Sequence, residues 1–106
     1  MFIVVLEFNV KPGLENKFLK YWQLTTDIIY KNFGSLGSRL HISDTNTYIA
    51  YAQWPSLDVY ETEQDWSEVD IEIRNKMRET LIDGQVKVIN KFAVMSDLTK
   101  SKPYQE

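Results

Sequence analysis

The chain alternates between the hydrophobic spacing of strands and that of helices. β-branched and aromatic residues run from Phe2 to Val10 and stop at Lys-Pro-Gly, which predicts a strand followed by a turn. Large apolar residues then recur every three or four positions over residues 14–33, which predicts a long helix. Gly34 follows directly and fits the C-cap of that helix.

Two further strands are predicted over residues 37–42 and 47–54. The polar run 43–46 between them is typical of a hairpin turn. Pro55 forces extended geometry on the residue before it and so ends the third strand. Ser56 can then accept a backbone hydrogen bond as the N-cap of a short helix.

A second long helix is predicted over residues 69–81, with Gly84 as its stop, and the last strand lies within residues 85–98. The order is β-α-β-β-α-β, with a short extra helix after the third strand. This order predicts a ferredoxin-like α+β fold, an antiparallel sheet with both main helices on one face. We divide the chain into one domain, residues 1–98, and a C-terminal tail, residues 99–106.

Both faces of the predicted sheet carry apolar residues, although the helices cover only one. In the last strand, strict alternation puts Val88 and Phe92 on one face and Ile89 on the other. A second copy of the chain is the simplest cover for the other face. We therefore expect a homodimer joined through the face that carries Ile49, Tyr51 and Ile89.

Composition narrows the function classes. The 106 residues, 43% hydrophobic and 25% charged with a net charge of −3, fit one ordinary globular domain without a basic block for nucleic acid. There is no cysteine and His41 is the only histidine, which argues against disulfides and a zinc or non-haem iron site. The short apolar start predicts neither a signal peptide nor a membrane span, so we expect a cytoplasmic protein without a membrane partner.

One face of the third strand carries two small residues between two aromatic ones. Alternation places Tyr48, Ala50, Ala52 and Trp54 on the same side. Close packing against a helix and a ligand cavity both explain the alanines. With the aromatic residues beside them, we favour a cavity for a planar small molecule.

His41 has two interpretations. It shares a strand face with Arg39, which favours a hydrogen-bonded sheet residue or a dimer contact. The unperturbed pKa of a histidine also suits proton abstraction near neutral pH, so a role of His41 as a general base remains open.

Three stretches carry a family resemblance: NVKPGLENKF at the first helix, GSLGSRLHIS before the hairpin, and YAQWPS at the end of the third strand. Over nearly its whole length the chain resembles the antibiotic biosynthesis monooxygenases, dimeric α+β barrels. It is most similar to the cofactor-independent members that oxidise anthrone-type intermediates to quinones. Where that group has an Asn on the third strand, this chain has Ala50. The haem-degrading members are excluded, because the second main helix has no histidine and Leu6 replaces their Asn.

The resemblance implies oxygenation without metal, flavin or another cofactor, on an electron-rich planar aromatic substrate. It implies catalytic roles for Trp54 by stacking, Tyr60 by hydrogen bonding and Arg74 by stabilising an oxyanion. We assign substrate binding to Tyr48, Ala50, Ala52 and Trp66.

Each assignment has a structural alternative. Trp54 and Tyr60 can be core residues, Trp22 and Trp66 can fill the core or the rim of the cavity, and Arg74 can be a solvated partner of Asp70. At the level of function, a small-molecule-binding protein or an isomerase on the same fold competes with the monooxygenase.

Overall fold

The computed structural model describes residues 1–105 as a four-stranded sheet with helices on one face. Its elements are β1 (Phe2–Asn9), α1 (Glu15–Phe33), β2 (Ser38–Asp44), β3 (Thr47–Trp54), α2 (Leu57–Glu61), α3 (Glu68–Arg78), a 3₁₀ turn (Ile82–Gly84) and β4 (Lys87–Ala93). The sheet order is β2-β3-β1-β4, and all neighbours are antiparallel. The ferredoxin-like α+β fold is thus confirmed.

The helix ends follow the sequence signals closely. α1 ends at Gly34, whose φ of 79° is the left-handed C-cap conformation. Ser56 caps α2, because its Oγ accepts a hydrogen bond of 3.2 Å from the Val59 backbone N–H. Ser67 caps α3 in the same way, accepting from the Asp70 N–H at 3.1 Å. None of the helices in residues 1–105 is long and apolar enough to cross a bilayer.

α3 stops earlier than its apolar spacing predicts. The spacing extends to Leu81, but the helix ends at Arg78. Leu81 is fully buried and pairs with Val10 in an isolated antiparallel bridge. Tertiary packing therefore takes this residue out of the helix.

The β2–β3 turn is tighter than predicted. β2 continues to Asp44, and only Thr45 and Asn46 form the turn. Asn46 takes a positive φ of 61°, a conformation that asparagine tolerates. The Asp44 carboxylate accepts a hydrogen bond of 2.7 Å from the Thr45 N–H, which stabilises the turn.

The core lies between the sheet and α1. β1 and β3 place paired residues on this face: Phe2 opposite Trp54, Val4 opposite Ala52, Leu6 opposite Ala50 and Phe8 opposite Tyr48. Phe18 of α1 is fully buried, and its ring lies 5.2 Å from that of Phe8 and 5.1 Å from that of Tyr48. α1 is therefore anchored directly on the sheet near Phe18.

β4 departs from strict alternation. Val5 pairs with Asn90 and Leu6 with Val88, so Ile89 is an extra residue at a bulge. Val88 therefore lies on the helix-covered face, while Phe92, paired with Ile3, lies on the opposite one. The prediction that Val88 and Phe92 share a face was wrong, because the bulge shifts the alternation by one residue.

The face opposite the helices is only partly covered. Ile3 is buried at one end of it, Ile49 and Tyr51 are half-buried, and Phe92 is 41% exposed. Ile89 at the bulge is 49% exposed. These residues include those on which the predicted homodimer rests, and the dimer itself stays a prediction.

Candidate functional site

A cavity of about 350 Å³ lies between the helix-covered face of the sheet and helices α1 and α3. Ala52 and the neighbouring β1 residues Val4 and Leu6 line it on the sheet side. Its aromatic lining residues are Phe8, Trp22, Trp54, Tyr60 and Trp66. This size and this mainly apolar lining suit a small planar ligand.

Trp54 and Tyr60 form one aromatic corner of the cavity. Trp54 is buried at the end of β3, and Pro55 ends the strand directly after it. The capped helix α2 then brings Tyr60 back, so that the two rings meet edge-on at 5.4 Å and 69°. Tyr60 also contacts Phe2, with ring centroids 5.6 Å apart. Both residues lie where a ligand can contact them.

Arg74 lies over Trp66 on the α3 side of the cavity. The central guanidinium carbon is 4.6 Å from the indole centroid, which is cation–π geometry. Trp66 is held by Phe33, whose ring lies at 5.2 Å, and its Nε1–H donates to Gln64 Oε1 at 3.0 Å. No ion pair joins Arg74 to Asp70 in residues 1–105, so the structural alternative of a surface pair between them is wrong.

The electrostatic character of the cavity is positive. Burial lowers the pKa of Arg74, and the charge of Arg78 one helical turn away lowers it further. The titratable lining side chains in the described chain are Tyr60, Arg74 and Arg78, without an aspartate, glutamate or histidine. Such a site favours an anionic ligand or a developing negative charge.

The cavity also gathers buried polar atoms that have no protein partner. In residues 1–105 these are Thr25 Oγ1, Ser38 Oγ and Arg74 Nε, and all three residues line the cavity. Buried polar atoms normally form hydrogen bonds, because leaving them unpaired is costly. Their position in the cavity lining indicates that a polar ligand or water forms the missing hydrogen bonds.

The structure separates the two alanines of β3. Ala52 lines the cavity, whereas Ala50 is fully buried in the core cluster that includes Phe8 and Phe18. Tyr48 packs on Phe18 in the same cluster and lies outside the cavity lining. Of the sequence-derived site residues, the cavity thus brings together Trp54, Tyr60, Arg74, Ala52 and Trp66, but not Tyr48 and Ala50.

His41 lies away from this cavity. His41 pairs with Ile49 of β3, and both residues belong to the sheet face opposite the helices. His41 is exposed. Across residues 1–105 no group of three or more histidine, cysteine, aspartate or glutamate side chains is arranged to hold a metal ion.

The lining residues that sequence reasoning missed include Thr25, Ser38 and Arg78. Thr25 interrupts the apolar stripe of α1 one turn after Trp22, and a polar residue in such a stripe is a usable signal. Arg78 follows Arg74 by one helical turn. Ser38 becomes recognisable only when the strand register places it opposite Ala52.

No protein-family model and no curated protein matches the chain by sequence. Several solved structures match it closely in fold. A candidate antibiotic biosynthesis monooxygenase from Bordetella bronchiseptica superposes with a TM-score of 0.71 at 18% identity, covering 90% of this chain and 97% of that one. SnoaB, a cofactor-independent oxygenase from Streptomyces nogalater, superposes with a TM-score of 0.71 at 16% identity, covering 93% of this chain and 97% of SnoaB.

A candidate antibiotic biosynthesis monooxygenase from Caulobacter crescentus gives a TM-score of 0.70 at 18% identity and covers 90% of both chains. At such identities the similarity concerns the fold, which can host several activities. The arrangement of strands and helices matches the one that the sequence motifs implied. The chain therefore has the fold of the antibiotic biosynthesis monooxygenases.

Proposed function

We propose that this protein is a cofactor-independent monooxygenase that oxidises an electron-rich planar aromatic molecule, of the phenol or anthrone type, with dioxygen. The observation that carries the proposal is the cavity lined by Trp54, Tyr60 and Trp66, in which the guanidinium of Arg74 lies over the Trp66 ring. The likeness in fold to SnoaB, a cofactor-independent oxygenase, supports it.

In this proposal the aromatic lining positions the substrate. Trp54 and Trp66 offer ring faces or edges to a planar molecule, and Ala52 leaves room above the sheet. Tyr60 donates a hydrogen bond to a substrate oxygen, and Arg74 binds that oxygen as it becomes negative. Holding the ring in one orientation and excluding bulk water are the main contributions of the protein.

The substrate supplies the reactivity. An anthrone-type CH₂ group loses a proton to give a carbanion, which transfers one electron to dioxygen. The radical and superoxide recombine, forming a C–O bond, and the resulting peroxide takes up a proton. Loss of water then leaves a carbonyl group. Overall CH₂ and O₂ give C=O and H₂O, so a four-electron oxidation of carbon matches the four-electron reduction of dioxygen.

Arg74 has a second role in the first step. Since no carboxylate or imidazole of the described chain lines the cavity, water accepts the substrate proton in this scheme. A guanidinium beside the substrate oxygen lowers the pKa of the substrate, because it stabilises the anion more than the neutral form. The protein then promotes ionisation through its positive charge without a dedicated base.

Dioxygen uptake tests the proposal directly. With 1,8-dihydroxyanthrone as the probe, we expect the protein to consume dioxygen faster than the spontaneous reaction and to form the anthraquinone in equal amount. Neither added flavin nor a chelator should change the rate. Oxidation at the spontaneous rate, across a panel of anthrones and naphthols, contradicts the proposal.

A small-molecule-binding protein or an isomerase on the same fold is the second candidate. The observation that favours it is Ala50, which is buried in the core where the resembled enzymes place an Asn. Tight binding of planar phenols without dioxygen consumption is the result that identifies this alternative.

We propose further that the working unit is a homodimer joined through the sheet face of Ile49 and Tyr51. The exposure of Phe92 and Ile89 supports this, because burying them removes apolar surface from water at about 25 cal/mol per Å². The residues after β4 also carry exposed apolar side chains, Met95, Leu98 and Tyr104. A segment of this composition after the last strand suits contact with a partner copy.

A further inference from the structure

The cavity has a charge imbalance that the oxidation scheme does not use. Arg74 and Arg78 lie one helical turn apart on α3, and both line the cavity. No aspartate or glutamate of residues 1–105 lines it, although the whole chain carries a net charge of −3. A cationic cavity in an acidic protein is selective by charge.

The two guanidinium groups lack compensating partners. Neither arginine forms an ion pair in the described chain. Arg74 Nε is buried without a hydrogen-bond acceptor, and Arg78 is close enough to lower the pKa of Arg74 by charge repulsion. An anion between the two groups satisfies the buried Nε–H and removes the repulsion.

We propose that the ligand of this cavity is an aromatic carboxylate, bound with its carboxylate between Arg74 and Arg78 and its rings beside Trp54 and Trp66. A carboxylate matches the planar fork of a guanidinium, which binds it through two parallel hydrogen bonds. This inference rests on the proposed function, because it takes the cavity to be the substrate site. It narrows the substrate class from phenols to aromatic hydroxy acids.

The remaining unpaired atoms are suited to bind the hydroxyl groups of aromatic hydroxy acids. Thr25 Oγ1 belongs to α1 and Ser38 Oγ to β2, so they lie on other walls of the cavity than the arginines of α3. Hydroxyls that both donate and accept suit ring hydroxyl or carbonyl oxygens. A volume of about 350 Å³ admits two or three fused rings with these substituents.

Calorimetric titration of a matched pair of probes tests the carboxylate. 3-Hydroxy-2-naphthoate and 2-naphthol share their rings and hydroxyl group and differ in the carboxylate. We expect the naphthoate to bind at least about tenfold more tightly, since a hydrogen bond to a charged group contributes that much or more. The titrations are run without dioxygen, so that binding is measured apart from oxidation.

Variants of Arg78 test whether this residue causes the preference for the carboxylate. Arg78 is exposed, so Arg78→Gln should keep the fold, as circular dichroism can verify. We expect it to remove most of the preference for the naphthoate and to leave the affinity for 2-naphthol unchanged. Arg78→Lys should keep part of the preference. Lys76→Gln, which removes a charge of the same helix outside the cavity lining, should keep all of it.

Equal affinities for the two probes overturn the inference, as does a preference that Arg78→Gln leaves intact or a failure of both probes to bind at millimolar concentration. Dioxygen uptake is measured separately. A carboxylate preference without uptake supports this inference and contradicts the monooxygenase. Dioxygen uptake that is faster with neutral anthrones than with their carboxylates supports the monooxygenase and contradicts this inference.

Discussion

Ala50 and Ala52 have the same residue type, the same strand and the same face, yet they have different surroundings. Phe18 anchors α1 over the Ala50 end of β3, where Ala50 is fully buried. Ala52 faces the cavity, farther along the strand. Whether a small residue serves packing or leaves room for a ligand is therefore decided by the element that lies above it.

This difference gives a matched pair of substitutions. Ala52→Leu places bulk in the cavity, so we expect it to abolish binding of 3-hydroxy-2-naphthoate while changing the free energy of unfolding by less than about 1 kcal/mol. Ala50→Leu overpacks the core and should destabilise the protein by about 1–3 kcal/mol. Calorimetric titration and urea denaturation measure the two effects. Equal destabilisation by both variants would show that no usable space lies above Ala52.

In the proposed monooxygenase, Arg74 is the residue on which the chemistry is expected to depend most. Removing one donor to a developing oxyanion typically lowers kcat by about 10²–10³, and we expect Arg74→Gln to do so. The bound substrate also loses the positive charge that lowers its pKa, so the rising limb of the pH–rate profile should move to higher pH. Stopped assays across the pH range, with Lys76→Gln as the control, measure both. An unchanged profile contradicts the role of Arg74 in ionisation.

At the scale of elements, α2 is the connection between fold and site. It carries Tyr60 to Trp54, and its Val59 packs over the C-cap of α1. A Cβ on Gly34 would lie 3.0 Å from Val59 Cγ1. The end of α1 and the position of Tyr60 are thus linked by one close contact.

Gly34→Ala and Gly13→Ala separate this contact from backbone strain. Both glycines have positive φ, so both variants lose about 1–2 kcal/mol from the left-handed backbone. A Cβ on Gly13 meets nothing within 4 Å, so only Gly34→Ala also pushes against α2. We expect Gly34→Ala to be the less stable variant in urea and the only one that weakens ligand binding. Identical behaviour of the two argues against the link through α2.

The strength of sequence reasoning here also depends on the element. Caps and periodicity predicted β3 to the residue and α1 to within one, because these signals are local. The end of α3 was misplaced, since the burial of Leu81 against Val10 is a contact between distant parts of the chain. The stacking of Arg74 on Trp66 left no trace in the spacing of α3, because Trp66 lies just before the helix and outside its periodic pattern.

At the scale of the whole molecule, the partly covered sheet face predicts assembly. We expect the protein to sediment at twice its chain mass of 12.5 kDa at micromolar concentration. Tyr51→Glu places a charge on the proposed interface and should give monomers. Tyr30→Glu makes the same change at an exposed position of α1 and should leave the dimer intact. A wild-type monomer, or equal effects of both variants, contradicts the proposed interface.

The bulge at Ile89 has a consequence for how mutations in β4 are tolerated. Because of the extra residue, one short strand contributes Val88 to the ligand cavity and Phe92 to the opposite surface, which strict alternation forbids. Deleting Ile89 would restore even spacing while Val88 stays opposite Leu6 and Asn90 opposite Val5, so the side chains on both sides of the deletion keep their faces. A loss of one codon at this point should thus keep Val88 on the cavity side and Phe92 on the opposite surface, whereas a substitution at Val88 or Phe92 impairs ligand recognition or subunit association directly.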